Sequence, residues 1–223
     1  LGRKLLGTEF GKGKGHGAIL LSHTHWDHIQ GFPFFAPVFI PGNRFSVFGP
    51  AKSAAMLEGI LEGQVNPHFS PLQTMKNLGA MFELVPVPTD NDPPPILWEG
   101  IAISGRPNPH GPSTCMAYRI EENGRSLVYA PDAGYPDAGP SEEVLRLYQG
   151  ADLLIHDSTY TPEDRSLRRS RGYSSFADAA YAAVRAGVRR LALFHFDQDY
   201  SDDTVDQIYS RCRELLDSLG GRH

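Results

Sequence analysis

At 223 residues and 40% apolar, the chain can bury a sizeable core, as one domain or as two similar halves sharing an interface. A net charge of −5 argues against broad electrostatic binding of nucleic acid, and the basic clusters are short: Arg3-Lys4, Lys12 with Lys14, and Arg165 to Arg171. Two cysteines make no disulfide framework, so a reduced cytoplasm is the simpler setting. No apolar stretch is long enough to span a bilayer, and no signal-peptide pattern is present.

The run Leu1-Gly2-Arg3-Lys4-Leu5-Leu6 begins without methionine and reads as the body of a helix, so an N-terminal stretch is expected to be missing. Gly11-Lys12-Gly13-Lys14-Gly15-His16-Gly17 lacks the Ser/Thr and helix start of a phosphate-binding loop and reads as a mobile connector. Strands and helices then alternate. Expected strands are Ala18–Leu21, Ser46–Phe48, Met81–Val87, Ile101–Gly105, Met116–Ile120, Ser126–Ala130, Leu153–Ile155 and Leu191–Phe194, with Asn123-Gly124 as a hairpin turn. Expected helices are Ser53–Glu62, Pro71–Leu78, Ser141–Tyr148, Ser175–Ala186 and Ser201–Leu219. Ser175 with Asp178 has capping-box spacing, and Gly187 sits where a C-terminal cap belongs. The last helix carries Val205, Ile208, Tyr209, Cys212, Leu215, Leu216 and Leu219 on one face, which makes Cys212 a core filler. Asp90 to Pro95 is a stiff loop near a possible boundary between halves, but one domain over residues 1–223 is the reading adopted.

The most informative stretch follows the first strand: His23-Thr24-His25-Trp26-Asp27-His28. Four such polar groups at a strand end carry a heavy desolvation cost unless a cation holds them. Imidazole and carboxylate suit a borderline divalent ion such as zinc, and alternate spacing lets His23 and His25 point the same way from extended backbone. Asp27 and His28, on the turn that follows, can face a second ion. Further along, His110, Asp132 and His195 each stand where a strand empties into a loop.

The run from His23 to His28, followed by Gly31, resembles the metallo-β-lactamase-fold hydrolases, over about residues 17 to 200. That resemblance implies an α/β, four-layer αββα sandwich with the site at one sheet edge. It implies that His23, His25 and His110 bind one metal, that Asp27, His28 and His195 bind a second, and that Asp132 bridges them. Asp152-Leu153-Leu154-Ile155-His156-Asp157-Ser158-Thr159 and Ala130-Pro131-Asp132 resemble the phosphodiesterase branch that contains RNase Z and cyclic phosphodiesterases. In Gly172-Tyr173-Ser174-Ser175 a tyrosine stands where that branch usually has histidine. The short span from His110 to Asp132 leaves no room for a tRNA-gripping arm, and a histidine at position 25 disfavours redox di-iron chemistry.

Two cations a few ångströms apart bring a shared water's pKa to about neutrality, supplying hydroxide. Asp27 can hold metal and orient that nucleophile, while His156 and Tyr173 are the candidates for protonating the leaving oxygen. A buried histidine supported by Asp157 is the other reading of His156. His68 reads as a helix-entry loop residue. The aromatic run Phe32 to Phe39 can be a substrate wall, core, or the contact of a homodimer.

The expectation is therefore a cytoplasmic, binuclear metal-dependent phosphodiesterase acting on a small cyclic or nucleotide phosphodiester. Zinc is the favoured metal, with manganese or iron compatible with the same ligands. Nucleic acid and membrane are disfavoured as partners. RNA endonuclease and thioester or lactone hydrolase are the alternatives.

Overall fold

The computed structural model describes residues 1–50, 54–66, 68, 78–89 and 93–220. The chain divides into two compact units, residues 1–88 and 89–223. The division falls two residues before the Asp90–Pro95 loop that the sequence marks as a possible boundary.

The first unit contains α1 (Gly2–Leu5), β1 (His16–Leu20), α2 (Trp26–Ile29), β2 (Arg44–Pro50), α3 (Ala54–Gln64) and β3 (Met81–Val87). Its sheet is parallel throughout in the order β1-β2-β3, with Ala18 opposite Ser46 and Val47 opposite Leu84. A parallel sheet is covered on both faces and needs near-continuous apolar strands. Phe45, Val47 and Phe48 meet that demand, all buried in succession around Ser46. The Phe45 ring lies 5.6 Å from Phe10, 5.8 Å from Phe35 and 5.8 Å from Phe82. The aromatic run after the histidine cluster therefore supplies core in part: Phe32, Phe35 and Val38 pack here, while Phe34 points outward, 81% exposed, and Phe39 is also exposed.

The glycine-rich segment is tied into this core. Glu9–Lys12 form a 3-10 turn, and His16 and Gly17 already belong to β1. Buried Asn43 fastens the segment, accepting from Gly15 N at 2.8 Å and donating through Nδ2 to the carbonyls of Phe10 and Pro37, each at 2.9 Å. The helix expected at Pro71–Leu78 lies outside the described residues apart from Leu78.

The second unit contains β4 (Ile96–Trp98), β5 (Ile101–His110), β6 (Ser113–Glu122), β7 (Arg125–Ala130), α4 (Glu142–Tyr148), β8 (Leu153–Asp157), α5 (Pro162–Leu167), α6 (Phe176–Arg185), β9 (Leu191–Phe194) and α7 (Asp202–Ser218). Its six strands lie in sequence order β4-β5-β6-β7-β8-β9. Short turns make the first four antiparallel; helical crossovers make β7, β8 and β9 parallel. Asn123 (φ +49°) and Gly124 (φ +72°) form the hairpin turn between β6 and β7, since both central positions require the left-handed region. Ser175 caps α6 in a complete capping box with Asp178, and Gly187 follows at φ +63°.

One strand runs well past its expected end. Pro107 and Pro109 suggest a loop after Gly105, yet β5 continues to His110. The reason is that β4 covers only Ile101–Ile103 of its outer edge. Beyond that point the outer side of β5 needs no N–H donors, so proline is tolerated there. His110 consequently sits at the end of a strand, in register with Ser113, rather than in a loop beyond one.

Ala117, Val128, Ala130 and Leu154 from the sheet pack on Val144, Tyr148, Ala182 and Ala183 from α4 and α6. A second cluster joins Phe176 and Ala180 to Ile208, Cys212 and Leu216 of α7, and both cysteines are free and buried. Asn43→Ala should destabilise the protein by about 2–3 kcal/mol, because it leaves the buried Gly15 N–H without its acceptor and takes one of the hydrogen bonds from each of the Phe10 and Pro37 carbonyls. Urea unfolding of the variant beside the parent measures this.

Candidate metal centre

In the first unit the ligand-bearing segment turns directly from extended backbone into helix. His25 is the N-cap of α2, with ψ 149°, so Asp27 and His28 occupy its first turn rather than an irregular loop. His23 is buried, its Nδ1 lying 3.2 Å from Ser22 Oγ and its Nε2 converging on His25 Nδ1 at 2.9 Å. The His28 ring lies 4.2 Å from that of His23, and His28 Nε2 is 3.4 Å from Asp27 Oδ2. All four residues thus meet at one corner of this unit, as the alternating spacing predicts.

In the second unit, three strand ends bring His110, Asp132 and His195 together. Asp132 is 1% exposed and offers one oxygen to each histidine: Oδ2 lies 3.6 Å from His110 Nε2, and Oδ1 lies 3.5 Å from His195 Nε2. The far nitrogens fix the tautomers. His110 Nδ1 is 2.9 Å from the carbonyl of Gly172, which only accepts, so Nδ1 carries the proton and Nε2 is a lone pair. His195 Nδ1 is 2.9 Å from Thr159 Oγ1, whose own proton goes to Asp157 Oδ1 at 2.6 Å. Here too Nδ1 must donate, which leaves Nε2 as a lone pair.

In the neutral imidazoles, two Nε2 lone pairs face the two oxygens of one buried carboxylate. Acceptor against acceptor is repulsive at low dielectric, and distances of 3.5–3.6 Å exceed ordinary N–H···O bonds. They match the roughly 3.3 Å edge of a tetrahedron whose centre-to-ligand bonds are about 2.0–2.1 Å. The donor set therefore fits a divalent cation.

Holding that geometry costs backbone strain. Among the described residues only four non-glycines have positive φ, and two are Asp132 (+43°) and His195 (+64°). The support is Asp157, fully buried at the end of β8. Its Oδ2 accepts from Ala133 N and Ser174 N, each at 3.0 Å, and its Oδ1 accepts from Thr159 N at 2.8 Å as well as from the Thr159 hydroxyl. Burial pushes this carboxyl up to about 6, opposed by those hydrogen bonds, so it is ionised at neutral pH. Gly172 allows the close approach on the other side: at φ +74°, a Cβ there would stand 1.8 Å from Gly111 N.

His156, expected as a candidate proton donor, has a different place. It is 0% exposed, with Nδ1 donating to the Asp157 carbonyl at 2.7 Å and Nε2 accepting from Tyr135 OH at 2.8 Å. Tyr135 in turn accepts from Tyr148 OH at 2.6 Å, and Tyr148 accepts from Asn108 Nδ2 at 2.9 Å. Every donor in this chain finds an acceptor, and both ring nitrogens are used internally. Burial lowers its pKa to about 4. Tyr173 is the side chain beside the ligands instead, its ring 5.0 Å from His110 and 5.5 Å from His195. His68 is exposed in a turn, its N–H bonded to Asn66 Oδ1. The supporting roles of Thr159, Gly172, Tyr135 and Tyr148 escaped the sequence reading. Only the Asp157-Ser158-Thr159 motif carried a signal for any of them.

The chain matches the family described as the Beta-lactamase superfamily domain over residues 11–196. It is 41% identical to a Ribonuclease Z of Brevibacillus brevis over 83 residues, which are 37% of this chain and 24% of that protein. The first curated relatives are matched over only about a quarter of their own length. Among solved structures, the metallo-beta-lactamase fold protein YhfI from Bacillus subtilis has TM-score 0.64 and 21% identity, covering 89% of this chain and 70% of that one. A diphosphatase from the PhnP family has TM-score 0.61 and 20% identity, covering 92% and 69%. The chain belongs to the beta-lactamase superfamily and has the metallo-β-lactamase fold. The expectation drawn from charge, that nucleic acid is not a partner, is not borne out by relatives named as ribonucleases. Among the described residues, no helix is long and apolar enough to cross a membrane.

Asp157→Asn should lower metal affinity by about 10- to 100-fold, since an amide cannot accept all four hydrogen bonds and the Asp132, Tyr173 and His195 segments lose their common anchor. Competition against a chromogenic chelator reads this directly. His156 supplies a second expectation, for metal-free protein. Its folded pKa of about 4 lies below the unfolded 6.5, so its contribution is complete above pH 6.5 and is lost as pH falls towards 4. The amount is on the order of 3 kcal/mol. Urea midpoints measured in chelator between pH 7 and 4 should fall less steeply for His156→Gln than for the parent.

Proposed function

We propose that this protein is a hydrolase that cleaves phosphodiesters with two divalent ions held by seven residues: His23, His25 and His110 on one, Asp27, His28 and His195 on the other, and Asp132 bridging. The single observation that carries this is the buried Asp132 carboxylate, with the Nε2 atoms of His110 and His195 set 3.6 and 3.5 Å from its two oxygens. When bound, the ions supply Lewis acidity, acidifying water and drawing charge from a phosphoryl oxygen. Zinc is the favoured metal on this donor set; manganese and iron fit the same ligands.

The chain's own groups divide the remaining work. Asp27, 65% exposed at the side chain, can accept a hydrogen bond from the attacking water and aim it. The Gly172 carbonyl and Thr159 hydroxyl hold the Nδ1 atoms of His110 and His195 and so orient both rings with Nε2 toward Asp132. Tyr173, lying against both rings, is the candidate hydrogen-bond donor to a leaving oxygen; His156, wholly engaged in its buried chain, positions Asp157 instead. A phenol is a weaker acid than imidazolium, so good leaving groups are handled best.

Small cyclic or nucleotide phosphodiesters are the leading substrate class, supported by the likeness to a PhnP-family diphosphatase. RNA is the second reading, supported by the identity to proteins named Ribonuclease Z. Purified protein should contain two metals per chain by elemental analysis and hydrolyse bis-p-nitrophenyl phosphate and cyclic nucleotides, with thioesters and nitrocefin as negative controls. Well under one metal after reconstitution would overturn the assignment. Asp27→Ala should lose about 10²-fold or more in kcat with little change in KM. Tyr173→Phe should spare p-nitrophenyl esters and slow alkoxide-leaving substrates, whereas equal losses on both would remove Tyr173 from proton donation.

A further inference from the structure

The second unit has a feature that phosphodiester hydrolysis does not use. Between β9, α6 and α7 lies a cleft of about 900 Å³, walled by Leu191, Leu193, Phe196, Val205, Cys212 and Leu216. It opens at the edge of the sheet, since β9 is the last strand in the order and, among the described residues, no strand pairs with its outer side. The ladder shows which backbone groups are left over. Leu154 N donates to Arg190 O and Ser158 N donates to Phe194 O, so the even-numbered residues of this stretch turn their backbone groups toward β8. Leu191 and Leu193 turn both N–H and C=O outward.

Arginines stand on the rim. Arg189 is paired with Asp152 at 2.8 Å. Arg190 and Arg213 are exposed, and neither has a carboxylate partner among the described residues; Arg213 reaches only Tyr209, with its guanidinium 5.8 Å from the ring. In a chain of net charge −5, three arginines line this cleft against one carboxylate, Asp206, so its charge is net positive around apolar walls.

We propose that the edge of β9 binds an extended, acidic peptide segment as a seventh strand of this sheet. Its backbone pairs with the outward groups of Leu191 and Leu193, alternate apolar side chains enter the cleft, and carboxylates meet Arg190 and Arg213. An open edge, an adjoining apolar cleft and unpaired cations are the three elements of strand-addition recognition. A second copy of this chain pairing through the same edge would bring further arginines rather than carboxylates, and a simple amphiphile would leave the backbone groups unpaired.

The test uses a fluorescent seven-residue peptide alternating valine and glutamate, followed by anisotropy on the metal-loaded protein. Binding with Kd below about 100 µM is expected. The same peptide N-methylated at alternate amides should bind about tenfold or more weakly, because ladder hydrogen bonds are lost while the side chains are kept. The double variant R190E/R213E, on two exposed positions, should lose the glutamate peptide and gain the valine–lysine peptide by about tenfold each way. Hydrolysis of bis-p-nitrophenyl phosphate by that variant should be unchanged, which separates this surface from the metal site. Equal binding of N-methylated and parent peptides, equal binding of glutamate and lysine peptides, displacement by decanoate alone, or no binding at 1 mM would each overturn the proposal.

Discussion

Three segments of the second unit that carry or orient candidate metal ligands depend on one buried carboxylate. Asp157 accepts hydrogen bonds from Ala133 N, beside Asp132; from Ser174 N, beside Tyr173 and the Gly172 carbonyl that orients His110; and from Thr159, which orients His195. Four donors fill the accepting capacity of its two oxygens. A charge with no exposed surface costs several kcal/mol to bury unless it is so satisfied, and the same bonds that stabilise it fix three loops against one point. Stability and site geometry are in this way one interaction seen twice.

That anchor makes the strain at Asp132 and His195 tolerable. Both residues adopt left-handed backbone without glycine's freedom, which costs on the order of 1 kcal/mol or more apiece. Extended or helical backbone would turn their side chains elsewhere. Strain of this kind persists only where the surroundings over-determine it, and here each strained residue is fixed from behind by a bond leading to Asp157. The arrangement holds imidazole and carboxylate atoms at distances that suit a shared divalent cation.

The buried chain from Asn108 through Tyr148, Tyr135 and His156 to the Asp157 carbonyl adds a second support. Its direction is set by the Asn108 amide, which can only donate at that end, so every hydroxyl passes its proton the same way toward His156. Desolvation and this polarity both favour the neutral imidazole. Asn108 lies on β5 two residues before His110, so the network links the strand that presents one ligand to the strand end that carries the anchor.

Much of this was legible in the sequence because it is local. The His23–His28 cluster shows its metal chemistry through residue type and spacing alone, and most strands betray themselves by apolar runs, with Met81–Val87 and Leu191–Phe194 falling at their expected ends. Where local rules failed, tertiary context had overruled them: Pro107 and Pro109 sit within a strand because its neighbour stops short. The sharpest division concerns His156 and His195, each following an apolar strand run. By sequence they look alike. One stays inside its strand, where the pleat turns it into a buried tyrosine network; the other lies one residue past its strand end, where a positive φ swings it toward Asp132. Residue type determined that both could bind a metal or move a proton. Only the fold decided which one faces a carboxylate and which is held in the core, because side-chain direction depends on strand register and backbone handedness set by distant partners.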